Sequence, residues 1–198
     1  MTTVAHVLSI ALDETSDPPL RPLPADVAGL LGDVGAPPRL VAHLRAVHDV
    51  AARLVDWAGG HCPGLPLDRE AVLFGAATHD VGKVVHPAEL SGPGALHEPA
   101  GRELLLTRGV RPELARFAAG HAAWAPGYAV EDLLVSLADK VWKNKRVPDL
   151  EDLVVAELSR AGGRPAWEEF MALDEFLTEV GDAADRRLAW QAAHAVRG

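Results

Sequence analysis

The sequence predicts an all-α protein, a compact helical bundle, and three observations carry that expectation. Apolar residues recur at helical spacing along most of the chain, as in Val47, Val50, Ala51 and Leu54. No stretch shows the convincing apolar–polar alternation of a half-buried strand. Gly and Pro punctuate the periodic segments, with Pro suited to first helical positions. At 198 residues the chain suits one domain with a real core.

Residues 1–24 are Pro-rich, with Pro18, Pro19, Pro22 and Pro24, and are expected to be extended or loosely attached. Residues 25–198 are expected to form a single helical domain, with its core over 38–145 and further helices over 149–196. The first helix should begin near Pro38 and stop at Gly59-Gly60. A second runs from an N-cap at Asp68 to about Asp80. Pro99 opens a third that stops at Gly109, and Pro112 a fourth that ends near His121. A fifth covers residues 130–143, and a sixth covers 149–160 and ends at Gly162-Gly163. Residues 165–196 read as two more amphipathic helices broken at Gly181. Residues 84–96, with Pro87, Gly92, Pro93 and Gly94, form the main irregular loop.

The composition excludes several classes. Cys62 is the only cysteine, so no intramolecular disulfide and no thiolate zinc site is available. Beside Pro63 it reads as a bystander rather than a nucleophile. A net charge of −9 lacks the broad positive footprint of a nucleic-acid binder. No run reaches the apolar length of a bilayer crossing, so no membrane association is expected. The apolar start at residues 4–12 contains His6 and lacks a basic leading region, so it does not read as a signal peptide. A cytoplasmic location is the default expectation.

Helical phase sorts the nine histidines. His43 shares a face with Val47, Val50, Ala51 and Leu54, in the middle of the apolar stripe. His48 lies roughly 140° around the same helix, so the pair His48-Asp49 is expected on the solvated surface. A buried histidine needs a partner, and for His43 alone the plain alternative is a backbone carbonyl. His79-Asp80 closes the second helix after an apolar run, and Val81-Gly82-Lys83 follows. Imidazole beside carboxylate suits Fe, Mn, Co or Ni, with Zn and especially Mg less favoured. The plain alternative is a helix C-terminal cap. Asp139 sits at the edge of the apolar stripe of the fifth helix, where it needs a metal or an ion pair with Lys143. His97 begins the third helix and His121 ends the fourth, where surface or capping roles are the alternatives.

Taken together, His43-Leu44-Arg45-Ala46-Val47, His79-Asp80-Val81-Gly82-Lys83 and Ala138-Asp139-Lys140 resemble the HD superfamily of metal-dependent phosphohydrolases over residues 38–145. His97 and His121 resemble the two extra histidines of its dinuclear subgroup. That subgroup includes hydrolases of diadenosine tetraphosphate, cyclic-dinucleotide phosphodiesterases and a small branch of di-iron oxygenases. The resemblance implies that His43, His79, Asp80 and Asp139 hold one divalent transition-metal ion. It also implies that Asp80 bridges to a second, held by His97 and His121.

A metal that lowers the pKa of bound water makes a nucleophilic side chain unnecessary. The chain agrees, with no GxSxG motif and no credible Cys nucleophile. The expected activity is cleavage of a phosphoester of a small molecule, foremost a nucleotide, by attack of metal-bound hydroxide. The alternative is an HD-type di-iron oxygenase on a small organic substrate. A non-catalytic ligand-binding module is a third reading, disfavoured by the intact ligand set. Asp80 and Lys83 are the catalytic candidates. Lys83, His86, Lys140 and Lys143 are the candidates for substrate contact, with a solvated helix-end lysine as the alternative for Lys83. Lys145 and Arg146 read as the solvent side of their helix. Trp167, Phe170, Leu173, Phe176 and Leu177 are expected to form a buried packing face. Trp190 joins that face or a dimer contact, which leaves a homodimer open.

Overall fold

Nine α-helices and two short 3₁₀ turns make up the described residues, 15–196, of this computed structural model, with no strand among them. The helices are α1 (Ala25–Asp33), α2 (Pro38–His61), α3 (Arg69–Thr78), α4 (His97–Thr107), α5 (Pro112–Gly120), α6 (Val130–Val141), α7 (Pro148–Gly162), α8 (Ala166–Gly181) and α9 (Ala184–Ala192). The 3₁₀ turns, Val81–Val84 and Pro87–Leu90, lie between α3 and α4. The segment read against a signal peptide lies outside the described residues. No helix among them is long and apolar enough to cross a membrane.

The long helix α2 is the axis on which the rest packs. It contacts α3, α6 and α9, and every residue from 40 to 52 is buried. It does not stop at Gly59-Gly60. It continues to His61, whose ring stacks on Trp57 and lies 2.6 Å from the buried Glu169 carboxylate. Those contacts hold a last turn that its glycines alone would weaken.

Burial of α2 on all sides corrects the reading of His48 and Asp49 as solvated surface. They are only 5% and 8% exposed. The Pro-rich segment that precedes α1 closes over this region. Arg45 donates to the carbonyls of Leu20 and Arg21, the Arg21 amide donates to Asp49 at 3.0 Å, and Leu20 and Leu23 are buried. Its described part, residues 15–24, is extended but not loosely attached.

Among the described residues, neither ring nitrogen of His48 finds a hydrogen-bond partner. Burial pushes its imidazole down from 6.5 to about 4, helped by the Arg21 and Arg69 guanidiniums. Unfolded, the ring takes a proton below its ordinary pKa; folded, it resists until the lower one. Its effect on stability is therefore absent at high pH and grows as pH falls from 6.5 towards 4, to a loss of about 3 kcal/mol. Urea melts at pH 8 and pH 5 test this. The gap between the two stabilities is expected to shrink by about 2 kcal/mol in His48→Leu. An unchanged gap would refute the assignment.

Two further expectations need correction. Helix α4 begins at His97 rather than Pro99, because the Glu89 carboxylate accepts the amides of Leu96 and His97, both at 3.1 Å. Pro99 then falls inside the first turn, where amides lack intrahelical partners in any case. On α8 the buried stripe runs through Glu169, Leu173, Leu177 and Val180, while Trp167 and Phe170 are 68% and 43% exposed. Glu169 takes the inward position because His61 and Arg164 satisfy both of its oxygens. Trp190 is buried in the main apolar core.

Candidate metal centre

Five segments aim their polar side chains at one point. His43 comes from the middle of α2. His79 is the C-cap of α3, and Asp80 begins the turn that follows. His97 opens α4, His121 caps α5 and Asp139 lies near the end of α6. The geometry depends on a close backbone approach. A Cβ on Gly82 would fall 2.5 Å from the Gly101 amide nitrogen and inside contact distance of the His97 carbonyl. Only glycine lets the turn after Asp80 lie against the first turn of α4.

Asp80 is the centre of the arrangement. Its Oδ2 lies 3.1 Å from His43 Nε2 and 3.6 Å from His79 Nε2. Its Oδ1 lies 3.0 Å from His97 Nε2 and 3.5 Å from His121 Nε2. Asp139 Oδ1 faces the first pair, at 3.7 Å from His43 and 3.5 Å from His79. One carboxylate thus has an oxygen on each side, with two imidazoles facing each oxygen. Two overlapping groups, His43–His79–Asp139 and His79–Asp80–His121, each have ligand atoms within 4.8 Å of one another.

The outer ring nitrogens decide what the inner ones offer. His79 Nδ1 faces the Ala76 carbonyl at 2.9 Å, and His121 Nδ1 faces the Ala118 carbonyl at 3.2 Å. A carbonyl only accepts, so both Nδ1 atoms donate, and each neutral ring turns the lone pair of Nε2 inward. His97 Nδ1 likewise meets Glu89 Oε2 at 2.6 Å. The inward atoms crowd together: His43 Nε2 and His79 Nε2 are 3.3 Å apart, and His97 Nε2 is buried 3.0 Å from Asp80 Oδ1. Lone pairs and carboxylate oxygens converging in a buried space are stable together only around positive charge. This donor set fits divalent transition metals, with ring orientations fixed from behind.

In the absence of metal the same rings serve the two carboxylates as hydrogen-bond donors and positive charges instead. Burial alone would raise the Asp80 carboxyl, but His79, His121, His43 and His97 hold it well below the usual carboxylate range. Burial also opposes ionisation of Asp139, and His79, Lys140 and His43 outweigh it. Burial would lower His97, yet Asp80 and Glu89 raise it. Protons and metal compete for these nitrogens, so metal affinity is expected to fall with falling pH.

The lysines divide by position. Lys83 Nζ lies 2.5 Å from Asp80 Oδ2, and Lys140 Nζ lies 2.6 Å from Asp139 Oδ2. Lys140, not Lys143, is therefore the ion-pair partner of Asp139. A cavity of about 160 Å³ opens over His43 and Asp80 and carries the polar side chains of Arg39, Lys83, Lys143 and Gln191. His86 and Lys140 are not among its lining residues.

Three contributors escaped the sequence reading. Arg39 sits four residues before His43 on α2, a same-face spacing that was there to be read. Glu89 and Gln191 left no such signal, since only folding brings them to the site. Glu89 is expected to matter through His97. Glu89→Gln removes an acceptor for Nδ1 and should weaken metal binding about 10- to 100-fold. Competition with a fluorescent chelator measures it; wild-type affinity in the variant would exclude the role.

The fold and centre define an all-α protein built around a buried His/Asp cluster that could hold a metal. The HD domain family matches residues 40–157, and the chain belongs to that family, within a superfamily of metal-dependent hydrolases that bind divalent metals. No curated protein and no solved structure matches the chain.

Proposed function

We propose that the protein is a metal-dependent phosphohydrolase acting on a small phosphoester, with nucleotides as the first class to test. The observation that carries this reading is the placement of three cations, Arg39, Lys83 and Lys143, around a cavity floored by His43 and Asp80. In a chain of net charge −9, that local positive surface suits an anionic substrate. His43, His79 and Asp139 would hold one ion, and His97 and His121 a second, with Asp80 shared between them. The imidazole-rich donor set favours Fe, Mn, Co or Ni. When bound, the metal supplies a hydroxide nucleophile near neutral pH and neutralises phosphoryl charge.

The side chains divide the remaining tasks. Lys83 holds the Oδ2 of Asp80, on the His43–His79 side, and presents positive charge to the phosphoryl group. Trp142 and Leu90 flank the cavity and limit water beside the reacting group. Cys62 is buried with its thiol directed at the Leu158 carbonyl, which removes it as a nucleophile. The decisive experiment is phosphate release from a panel of phosphoesters by Mn-, Fe-, Co- or Ni-loaded protein, with and without oxygen. Turnover that persists anaerobically supports hydrolysis. Full metal loading with no release from any ester, but oxygen consumption on an organic substrate, would favour the oxygenase.

A further inference from the structure

The cavity carries more positive charge than one reacting phosphoryl group requires. Lys83 is committed to Asp80. Arg39 and Lys143 have no carboxylate within ion-pair distance among the described residues. Arg39 is nevertheless held in place. Its Nε donates to the His194 carbonyl at 3.1 Å and its Nη2 to the Ala192 carbonyl at 2.7 Å. The Arg39 backbone amide donates to the Ala195 carbonyl at 3.0 Å. These acceptors lie at the end of α9, whose dipole offsets about half a charge and leaves the rest. The Nη1 group has no partner among the described residues. Lys143 lies with its ammonium 5.7 Å from the Trp142 ring centre, and Gln191 adds an amide from α9.

Resting on the phosphohydrolase reading, we propose that Arg39, Lys143 and Gln191 form a second anion subsite. The substrate then carries a further phosphate directly linked to the phosphoryl group that reacts, as in a pyrophosphate linkage. Size supports adjacency. A cavity of about 160 Å³ lies below the roughly 300 Å³ of sites that enclose a whole drug-sized ligand. The two linked phosphates enter, and the organic portion stays at the mouth. Gln191 and the carbonyls that orient Arg39 lie beyond residue 157, outside the stretch that matches the family. The C-terminal helix of this chain therefore completes the subsite, supplying Gln191 and the carbonyls that orient Arg39.

The test is calorimetric binding of inorganic phosphate and of methylenediphosphonate, a non-hydrolysable pyrophosphate analogue, to Mn-loaded protein of measured metal content. Methylenediphosphonate is expected to bind about tenfold or more tightly than phosphate. Lys143→Gln, at an exposed position, and Arg39→Gln should each remove most of that advantage at unchanged metal content. Equal binding of both probes by the wild type would overturn the subsite, as would an advantage that survives both substitutions. Either result leaves the phosphohydrolase reading standing. Binding of neither probe by fully loaded protein would overturn both.

Discussion

Replacing Asp80 by alanine is expected to strip the centre of metal and to lower phosphate release by about 10³-fold or more. Asp80 faces all four imidazoles, with His43 and His79 on one oxygen and His97 and His121 on the other. No other side chain in the site faces both pairs. Its loss therefore removes the shared member of both halves, whereas Asp139→Ala touches the His43–His79 half alone and is expected to spare part of the metal. Lys83 would lose its counter-charge at the same time. Elemental analysis of both variants, with circular dichroism to establish folding, measures the outcome. A folded Asp80→Ala protein that keeps its metal and its turnover would refute the assignment of the centre.

Gly82→Ala is expected to destabilise the protein by about 3 kcal/mol or more, a fall in Tm on the order of 10 °C. The added methyl would meet backbone rather than a movable side chain: the His97 carbonyl and the Gly101 amide nitrogen. Relief requires α4 to move away from the turn after Asp80, and His97 moves with it. Metal should thus be lost preferentially from the His97–His121 half. Gly59→Ala is the control, since a Cβ there meets nothing within 4 Å inside a regular helix. It should be neutral or slightly stabilising. Equal thermal stability of the Gly82 and Gly59 variants would show that the close approach carries no cost.

Much of the fold was legible because helices are local. Pro38, Pro112 and the Asp68 cap mark helix starts through steric and hydrogen-bonding rules that act within one turn. Gly163, at φ +72°, ends α7 by adopting a conformation that other residues resist. The start of α4 was misread because its cap, Glu89, is supplied from eight residues upstream of His97. His48 and Asp49 were misread because phase describes one helix, while solvation depends on what packs against it. Trp167 and Phe170 were misread in the opposite sense, since a paired glutamate displaced them from the inward face.

What the sequence determined by itself was the all-helical architecture and the chemical identity of the histidines and aspartates in the HD pattern. Both reside in residue type and short-range spacing, where period and side-chain chemistry act directly. Only the tertiary structure decided that the two oxygens of Asp80 face different histidine pairs. It alone brought Glu89 behind His97, and Arg39 and Gln191 to the cavity wall. The physical reason is that these relations are fixed by packing between elements distant in the chain. A buried cluster of lone pairs exists only where five separate segments converge, and no local pattern specifies that convergence.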